Sequence, residues 1–525
     1  MYAKIFPGTT VMEKYIIRFP LAPTGTDYGA DANEAVWVDI PIILPWDVVE
    51  SYSRAGKLDK WVRGLEYEQY NSAFWSNAMR MGWGRARCIA SVPLKRRGAI
   101  TPFFWHLDEV ASYTGSGLLQ QFLVVSWGNP ACSGCAKNVR HYCMQFPKWR
   151  FTWKTNEKLA SVVAWLTRQM MAGGRARHGY RGEVLADGGK TQGPHVRMFS
   201  AGFKTDWTQK RNMNGYQRWW RTNLICELDG ARQRGSPNYA DFNYEPSWAT
   251  PPTTWTDYCN ECVAKGEPVT PWTVVPGFLR ERFVHDGMHA LFKKGVASVV
   301  VAADLVMWCK HEDRWDGANF EERLLSASKE YRGWLRANHL FAHRSSAWTP
   351  NRLGYGDGKK YPIVSDTYKC GDIKLMLHWC AHKHVQFMNQ LDGDPDEFML
   401  LRCHCTWSLS RYVFETSRSP AMLSEEQGRS IGEMAWMHLR TFAVLSGRCC
   451  HARLLLYKPR PKHHVFHHIA LLMQQGNLEN PKLWENWMEE DLMGKVTRVN
   501  KRLHAATVLL RAADRYSMWV LTHIE

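Results

Sequence analysis

Three consecutive carboxylates, Glu489, Glu490 and Asp491, open a helical stretch whose later turns present Lys495, Arg498, Lys501 and Arg502. Just upstream runs a proline-punctuated basic and histidine-rich segment, Lys458-Pro-Arg-Pro-Lys-His-His-Val-Phe-His-His468. Acid beside that much base suits metal-dependent chemistry on phosphodiesters, because the carboxylate holds a divalent ion while the cations hold the polymer. The bland alternative is a solvated amphipathic helix, and what separates the two is whether further acids stand in strand contexts. Two do. Asp108 follows the strand-like run Ile100-Thr-Pro-Phe-Phe-Trp-His-Leu107, and Asp206 follows His195-Val-Arg-Met-Phe-Ser-Ala-Gly-Phe203. Side chains leaving the ends of strands can converge on a metal. With a third acid from the 489–491 turn they would bridge two Mg²⁺ ions, the arrangement that activates a hydroxyl and stabilises the leaving oxygen.

Other residue groups carry weaker chemistry. Cys132-Ser-Gly-Cys135, with His141 and Cys143 behind it, and Cys259-Asn-Glu-Cys262 both have the short spacing of half a zinc site. Buried thiols in turns are the simpler reading of each. His378 and His382 share a helix face without the glutamate of a zinc peptidase, and a packing role is favoured. His285, Asp286 and His289 could centre a metal-dependent phosphohydrolase. Neither a glycine-rich phosphate loop nor a Gly-x-Ser-x-Gly nucleophile turn occurs, which leaves nucleotide-driven and serine-hydrolase chemistry without support.

Composition points to a polyanionic partner. Lys and Arg number 67 against 50 Asp and Glu, a net charge of +17 spread along the chain, which favours nucleic acid over an acidic protein or a small substrate. Tryptophan is frequent at 26, and Arg218-Trp-Trp-Arg221 interleaves aromatics with arginines that could stack on bases and hold phosphates. The 14 cysteines are scattered and no secretory signal opens the chain, so a reducing intracellular compartment without disulfides is expected. The longest apolar run, Val296 to Trp308, is too short for a membrane span and contains Asp304. The opening is abrupt, and an N-terminal module is expected to be missing.

The elements that must position the acids are strands first and helices later. Residues 1–98 read as a mixed N-terminal region, with strands at Tyr15–Phe19 and Val36–Leu44 and a helix from Glu66 to Met81. Residues 99–235 carry the strands that end at Asp108 and Asp206, a strand at Gln121–Trp127, and a helix from Leu159 to Met171. Residues 236–457 are an irregular loop followed by helices at Met288–Cys309, Phe320–His339, Asp372–Leu391 and Glu425–Tyr457. Residues 458–525 return with helices at His464–Gln475 and from Glu489 onward. This order predicts an α/β core interrupted by a large helical insertion.

Four blocks sharpen that reading. Thr205-Asp-Trp-Thr-Gln-Lys-Arg-Asn-Met-Asn-Gly-Tyr216 precedes Cys226-Glu-Leu-Asp229; then come His285-Asp-Gly-Met-His-Ala-Leu-Phe292, Lys462-His-His-Val-Phe-His-His468 and Glu490-Asp-Leu-Met-Gly-Lys495. In this order, over roughly Ala99 to Arg511, they resemble DDE transposases of the CACTA-like group. The resemblance implies a ribonuclease-H-like core, with Asp108, Asp206 and Glu490 as ligands of Mg²⁺ or Mn²⁺ and Asp286 as the substitute for Asp206. It departs from the family at Asp229, which stands where the second cysteine of a zinc knuckle belongs.

The reading carried forward is a nuclear, element-encoded enzyme that cleaves and transfers DNA strands. Lys495, Arg498, Lys501 and Arg502 would hold the backbone, assisted by Arg218 and Arg221, and Cys259 and Cys262 are the zinc candidates. The helical insertion is expected to position DNA ends or mediate homo-oligomerisation. Two alternatives remain: a catalytically inactive DNA-binding derivative, and the phosphohydrolase.

Overall fold

The computed structural model describes residues 14–23, 35–58, 67–83, 89–113, 117, 119–130, 140–185, 196–216, 218–249, 255–264, 266, 268–344, 346–356 and 358–524. Strands β1 (Lys14–Leu21) and β2 (Val36–Ile43) lead to helices α1 (Pro45–Arg54) and α2 (Tyr67–Arg80). Strands β3 (Ile100–Tyr113), β4 (Leu119–Gly128) and β5 (Arg140–Pro147) precede α3 (Trp153–Ala172), β6 (Arg197–Thr205), α4 (Trp207–Asn214), α5 (Trp255–Ala264) and the short β7 (Phe283–His285). Helices follow: α6 (Gly287–Leu291), α7 (Val296–Val306), α8 (Phe320–Ala337), α9 (Cys370–Asn389), α10 (Glu397–Arg418), α11 (Glu425–His451), α12 (Pro461–Gln474), α13 (Trp487–Asn500) and α14 (Val508–Ile524). None of the described helices is long and apolar enough to cross a membrane.

The chain divides into two compact units, one of residues 1–217, 253–285 and 486–525, the other of 218–252 and 286–485. The boundaries expected at 98, 235 and 457 therefore differ from those observed. Residues before 98 do not stand apart, because Ile17 and Phe19 of β1 and Ile40 and Ile42 of β2 share one core with Phe103, Trp105 and Leu107 of β3 and Leu159 and Val163 of α3.

The first unit is built on a mixed sheet in the order β5-β4-β3-β6-β7, four full strands with β7 as a three-residue edge. β3–β4 and β4–β5 are antiparallel, whereas β3–β6 and β6–β7 are parallel. The parallel pair needs a crossover, which α3 supplies. Thr152 caps α3 by accepting from the Thr155 backbone N–H in a reciprocal capping box, and left-handed Gly173 ends it. From the far end of the sequence, Leu492 and Val496 of α13 and Ala512 and Tyr516 of α14 complete this core.

Several expectations shift. β3 runs on to Tyr113, so Asp108 lies within the strand, paired with Val124, rather than at its end. β5 was not foreseen because Arg140, His141 and Gln145 break its apolar pattern, yet all eight of its residues are buried. The helix expected over Met288–Cys309 is split at Gly295, where an added Cβ would lie 2.0 Å from the Ala290 carbonyl oxygen. Helix α10 was missed because its inward face carries polar residues such as Arg402, Thr406 and Ser408.

Those polar residues have partners in the second unit. Asp304, fully buried in α7, accepts hydrogen bonds from Thr406 Oγ1 at 2.6 Å and Tyr457 OH at 2.6 Å, and lies 3.0 Å from His384 Nε2 and 3.5 Å from Arg402 Nε. Burial pushes its carboxyl up, but His384, Arg402 and Thr406 outweigh burial and hold it below the ordinary range. A depressed carboxyl contributes stability that is present above its unfolded value, about pH 4, and is lost as pH falls through the folded value. Asp304→Asn should therefore lower stability at pH 7 by about 3–5 kcal/mol, since it leaves the buried Arg402 with only the half-buried Glu312 as counter-charge. In urea unfolding the gap between wild type and variant should narrow below pH 4; a gap that does not change with pH would rule this account out.

Candidate functional site: an acidic sheet edge and a Cys/Asp/His cluster

In the first unit the acids come from three elements. β3 supplies His106 and Asp108, with His106 Nε2 at 3.8 Å from Asp108 Oδ2 and His106 Nδ1 at 3.2 Å from Ser126 Oγ. Asp108 Oδ1 also accepts from the Glu109 backbone N–H at 2.7 Å. β6 ends at Thr205, and Asp206 then caps α4 by accepting from Gln209 N at 2.6 Å.

On α13 the inward carboxylate is Glu489, and Glu490 is exposed. Glu489 Oε1 lies 2.6 Å from Arg140 Nε and 3.0 Å from Lys204 Nζ, with all three side chains buried. Burial pushes the Glu489 carboxyl up, but Arg140 and then Lys204 more than offset it and hold the group well below the usual carboxylate range. Its second oxygen, Oε2, makes no hydrogen bond among the described residues. Asp108, Asp206 and Glu490 do not form a set whose ligand atoms all lie within 4.8 Å of one another.

Of the expected backbone-binding cations, Arg498, Lys501 and Arg502 are exposed, and Lys495 pairs with Asp491 at 2.5 Å. In the second unit Arg221 is exposed, and the half-buried Arg218 donates to the Asp229 carbonyl oxygen at 3.0 Å. Asp286, also in the second unit, caps α6 through Met288 N at 2.9 Å and pairs with His289 Nδ1; the side chain of His285 lies outside the described part of the chain. His378 is bonded to Ser410 Oγ at 2.8 Å, and burial, then Lys374, push it down to about 4. His382 is exposed. Cys132 and Cys135 lie outside the described residues. Cys259 and Cys262 sit on α5, Cys262 buried with Tyr216, and gather no third ligand among the described residues.

The one group of potential ligands that does converge among the described residues is Cys226, Asp229, His464 and His468. All four belong to the second unit. Asp229 Oδ2 is 3.0 Å from His464 Nε2 and 2.9 Å from His468 Nε2; the two imidazole nitrogens are 3.1 Å apart, and Cys226 Sγ is 3.5 Å from His468 Nε2. Bond lengths of about 2.0–2.3 Å in a tetrahedral zinc site require ligand atoms roughly 3.3–3.7 Å apart, close to these separations. The donor set of one thiolate, one carboxylate and two imidazoles is also one that zinc accepts.

Local structure explains the convergence. Pro461 opens α12, and the four-residue spacing puts His464 and His468 on one face. Cys226 and Asp229 sit in a turn where Asp229 Oδ1 accepts from Ala231 N at 2.7 Å and Cys226 Sγ from Leu228 N at 3.4 Å. Trp248 backs the cluster, its ring centroid 4.3 Å from that of His464. Cys-x-x-Asp in a turn and His-x-x-x-His on a helix were both visible in the sequence. Asp229, the departure from a cysteine knuckle, is the residue around which both histidines gather.

Removing the inward carboxylate of the first unit should be costly. Glu489→Gln removes the buried carboxylate held between Lys204 and Arg140 and should destabilise by about 3–5 kcal/mol. Glu490→Gln, on the exposed side, should change stability by under about 0.5 kcal/mol. Chemical denaturation of the two variants checks this, and equal effects would show that Glu489 does not anchor α13. No protein-family model matches the sequence, and no curated protein is significantly similar to it.

Proposed function

We propose that the chain is a DDE-type transposase or a derivative of one, acting in the nucleus on DNA, with a ribonuclease-H-like core in its first unit and a helical insertion as its second. The observation that carries this reading is the return of α13. After the whole of 286–485, this acidic helix packs back on β3, with Ser112 Oγ donating to the Thr497 carbonyl oxygen at 3.1 Å. That brings Glu489 against the sheet whose adjacent parallel strands β3 and β6 carry and lead into Asp108 and Asp206. The net charge of +17 supplies the attraction to a polyanion.

In this reading Asp108, Asp206 and Glu490 would hold Mg²⁺ or Mn²⁺, which supplies charge neutralisation at the attacked phosphate when bound. Arg498, Lys501 and Arg502 hold the DNA backbone beside it. Glu489 braces the helix through Arg140 and Lys204, and its unpaired oxygen makes it the alternative third ligand. Cys226, Asp229, His464 and His468 would hold a structural Zn²⁺ in the insertion, in place of Cys259 and Cys262.

A second reading, a DNA-binding derivative without catalysis, is favoured by a specific observation: the ion pairs of Glu489 neutralise the inward acid, and the other three carboxylates do not close into a tight set. The phosphohydrolase rests on Asp286 and His289, which pair with each other and gather no third ligand among the described residues.

Nicking and strand transfer with Mg²⁺ or Mn²⁺ should be lost in Asp206→Ala and in Glu490→Ala while salt-sensitive DNA binding persists. Loss in Glu489→Gln but not in Glu490→Ala, with the variant still folded and binding DNA, would move the third ligand by one residue, and binding without nicking in every variant would establish the non-catalytic derivative. For the metal centre, one equivalent of zinc should accompany the purified chain and be lost in His464→Ala/His468→Ala. Substituted Co²⁺ should show the absorption bands of a tetrahedral site with a thiolate ligand. A metal-free wild type that does not take up zinc would exclude the site.

A further inference from the structure

The loop that carries Cys226 and Asp229 has a second end formed by Arg218, Trp219, Trp220 and Arg221. Residues 223–226 and 231–234 form a small hairpin in which Leu224 and Arg232 bridge antiparallel. Ile225 N donates to Ala231 O at 3.0 Å, and Gln233 N to Asn223 O at 2.7 Å. Cys226 and Asp229 lie at its turn. At the open end the rings of Trp219 and Trp220 have centroids 5.2 Å apart. The guanidinium carbon of Arg221 lies 4.4 Å from the Trp220 ring and 5.2 Å from that of Trp219, within cation–π reach.

Hydrogen bonds fasten this aromatic end to the hairpin. Gln233 Nε2 donates to the Trp220 carbonyl oxygen, Thr222 Oγ1 to Leu224 O at 2.7 Å, and Arg218 Nη1 to the carbonyl oxygen of Asp229 itself at 3.0 Å. The exposed charge is of one sign. Arg221, Arg232 and Arg234 are exposed, whereas Glu227 and Asp229, the acids between residues 218 and 240, are buried on the ligand side.

We propose that Trp219, Trp220 and Arg221 form a stacking platform for unpaired nucleotides of a DNA strand, and that metal ligation at Cys226 and Asp229 sets its position. The inference rests on the reading of DNA as the substrate. An indole face accepts any base, but only one that has left the duplex stack, so the platform discriminates unpaired from paired DNA. The arginines on the same hairpin contact the phosphates of that strand and make its binding salt-dependent. The hairpin is too short to hold its own geometry, and the ligand set joining it to α12 gives the platform a fixed base.

The test is fluorescence anisotropy of the full chain with a labelled duplex bearing a short single-stranded overhang, and with the same duplex fully paired. Wild type should prefer the overhang. Trp219→Ala/Trp220→Ala should lose about 10- to 100-fold in overhang affinity with paired binding unchanged, and the double Phe variant should recover most of it. Stripping zinc with a chelator should lower overhang affinity toward that of the Ala variant. Equal overhang affinity in wild type and the Ala variant overturns the platform, and so does a wild type without preference for the overhang; Asp206-dependent nicking would then stand alone. Tryptophan-dependent overhang binding with no nicking in any variant keeps the platform and removes the strand-transfer reading. Overhang affinity untouched by the chelator removes the metal's part in it.

Discussion

Burying a carboxylate beside a sheet costs several kcal/mol unless opposite charge is buried with it. Glu489 meets that condition through Arg140 on β5 and Lys204 on β6, so one ion cluster joins an outer strand of the sheet, an inner strand and the helix that arrives last in the chain. The register of α13 follows from it. A slip of one residue would turn Glu489 out and set either Met488 or Glu490 against Arg140 and Lys204. Everything placed by α13 depends on this register, including the exposure of Glu490 and the outward row of Arg498, Lys501 and Arg502. The same pairing neutralises the acid that faces the sheet, so the interaction that assembles the site also limits what that acid can do.

The second unit solves a related problem with polar groups. Its helices bury Asp304, Arg402 and His384 as a bonded set, and α12 buries His463, His464 and His467. Burial pushes His467 down to about 3 and His463 well below its ordinary value, so these two rings are packed rather than part of a basic patch. Only His464 and His468 turn to Asp229, whose carboxyl is pushed up by burial and pulled further down by the two imidazoles. The histidines of one short helix thus divide between aromatic packing, as with His463 and His467 on Phe242 and His467 on Trp248, and a convergent set around Asp229.

Much of the architecture was legible in advance because its signals are local. Alternating apolar residues marked β1, β2, β4 and β6, helical spacing marked α3, α8, α9, α11 and α12, and the change from strands to helices marked the two-part organisation. The losses share a cause. β5 and α10 bury arginine, histidine and serine, and the stretch 288–309 is divided into α6 and α7 at Gly295, where a backbone contact leaves no room for a Cβ; no periodicity rule anticipates polar groups satisfied by partners far along the chain.

Asp206 and the 489–491 turn were singled out from residue type and position, and the chain does carry them on elements of one unit. What local pattern could not decide was which carboxylate of three consecutive ones faces inward, since one residue rotates a helical side chain by about 100° and only tertiary packing selects the phase. It could not pair Cys226 and Asp229 with His464 and His468 either, because their meeting depends on a hairpin and a helix that are distant in sequence coming together in the folded unit. Composition and spacing determined the charge, the elements and the ligand types; three-dimensional packing decided which of those ligands meet.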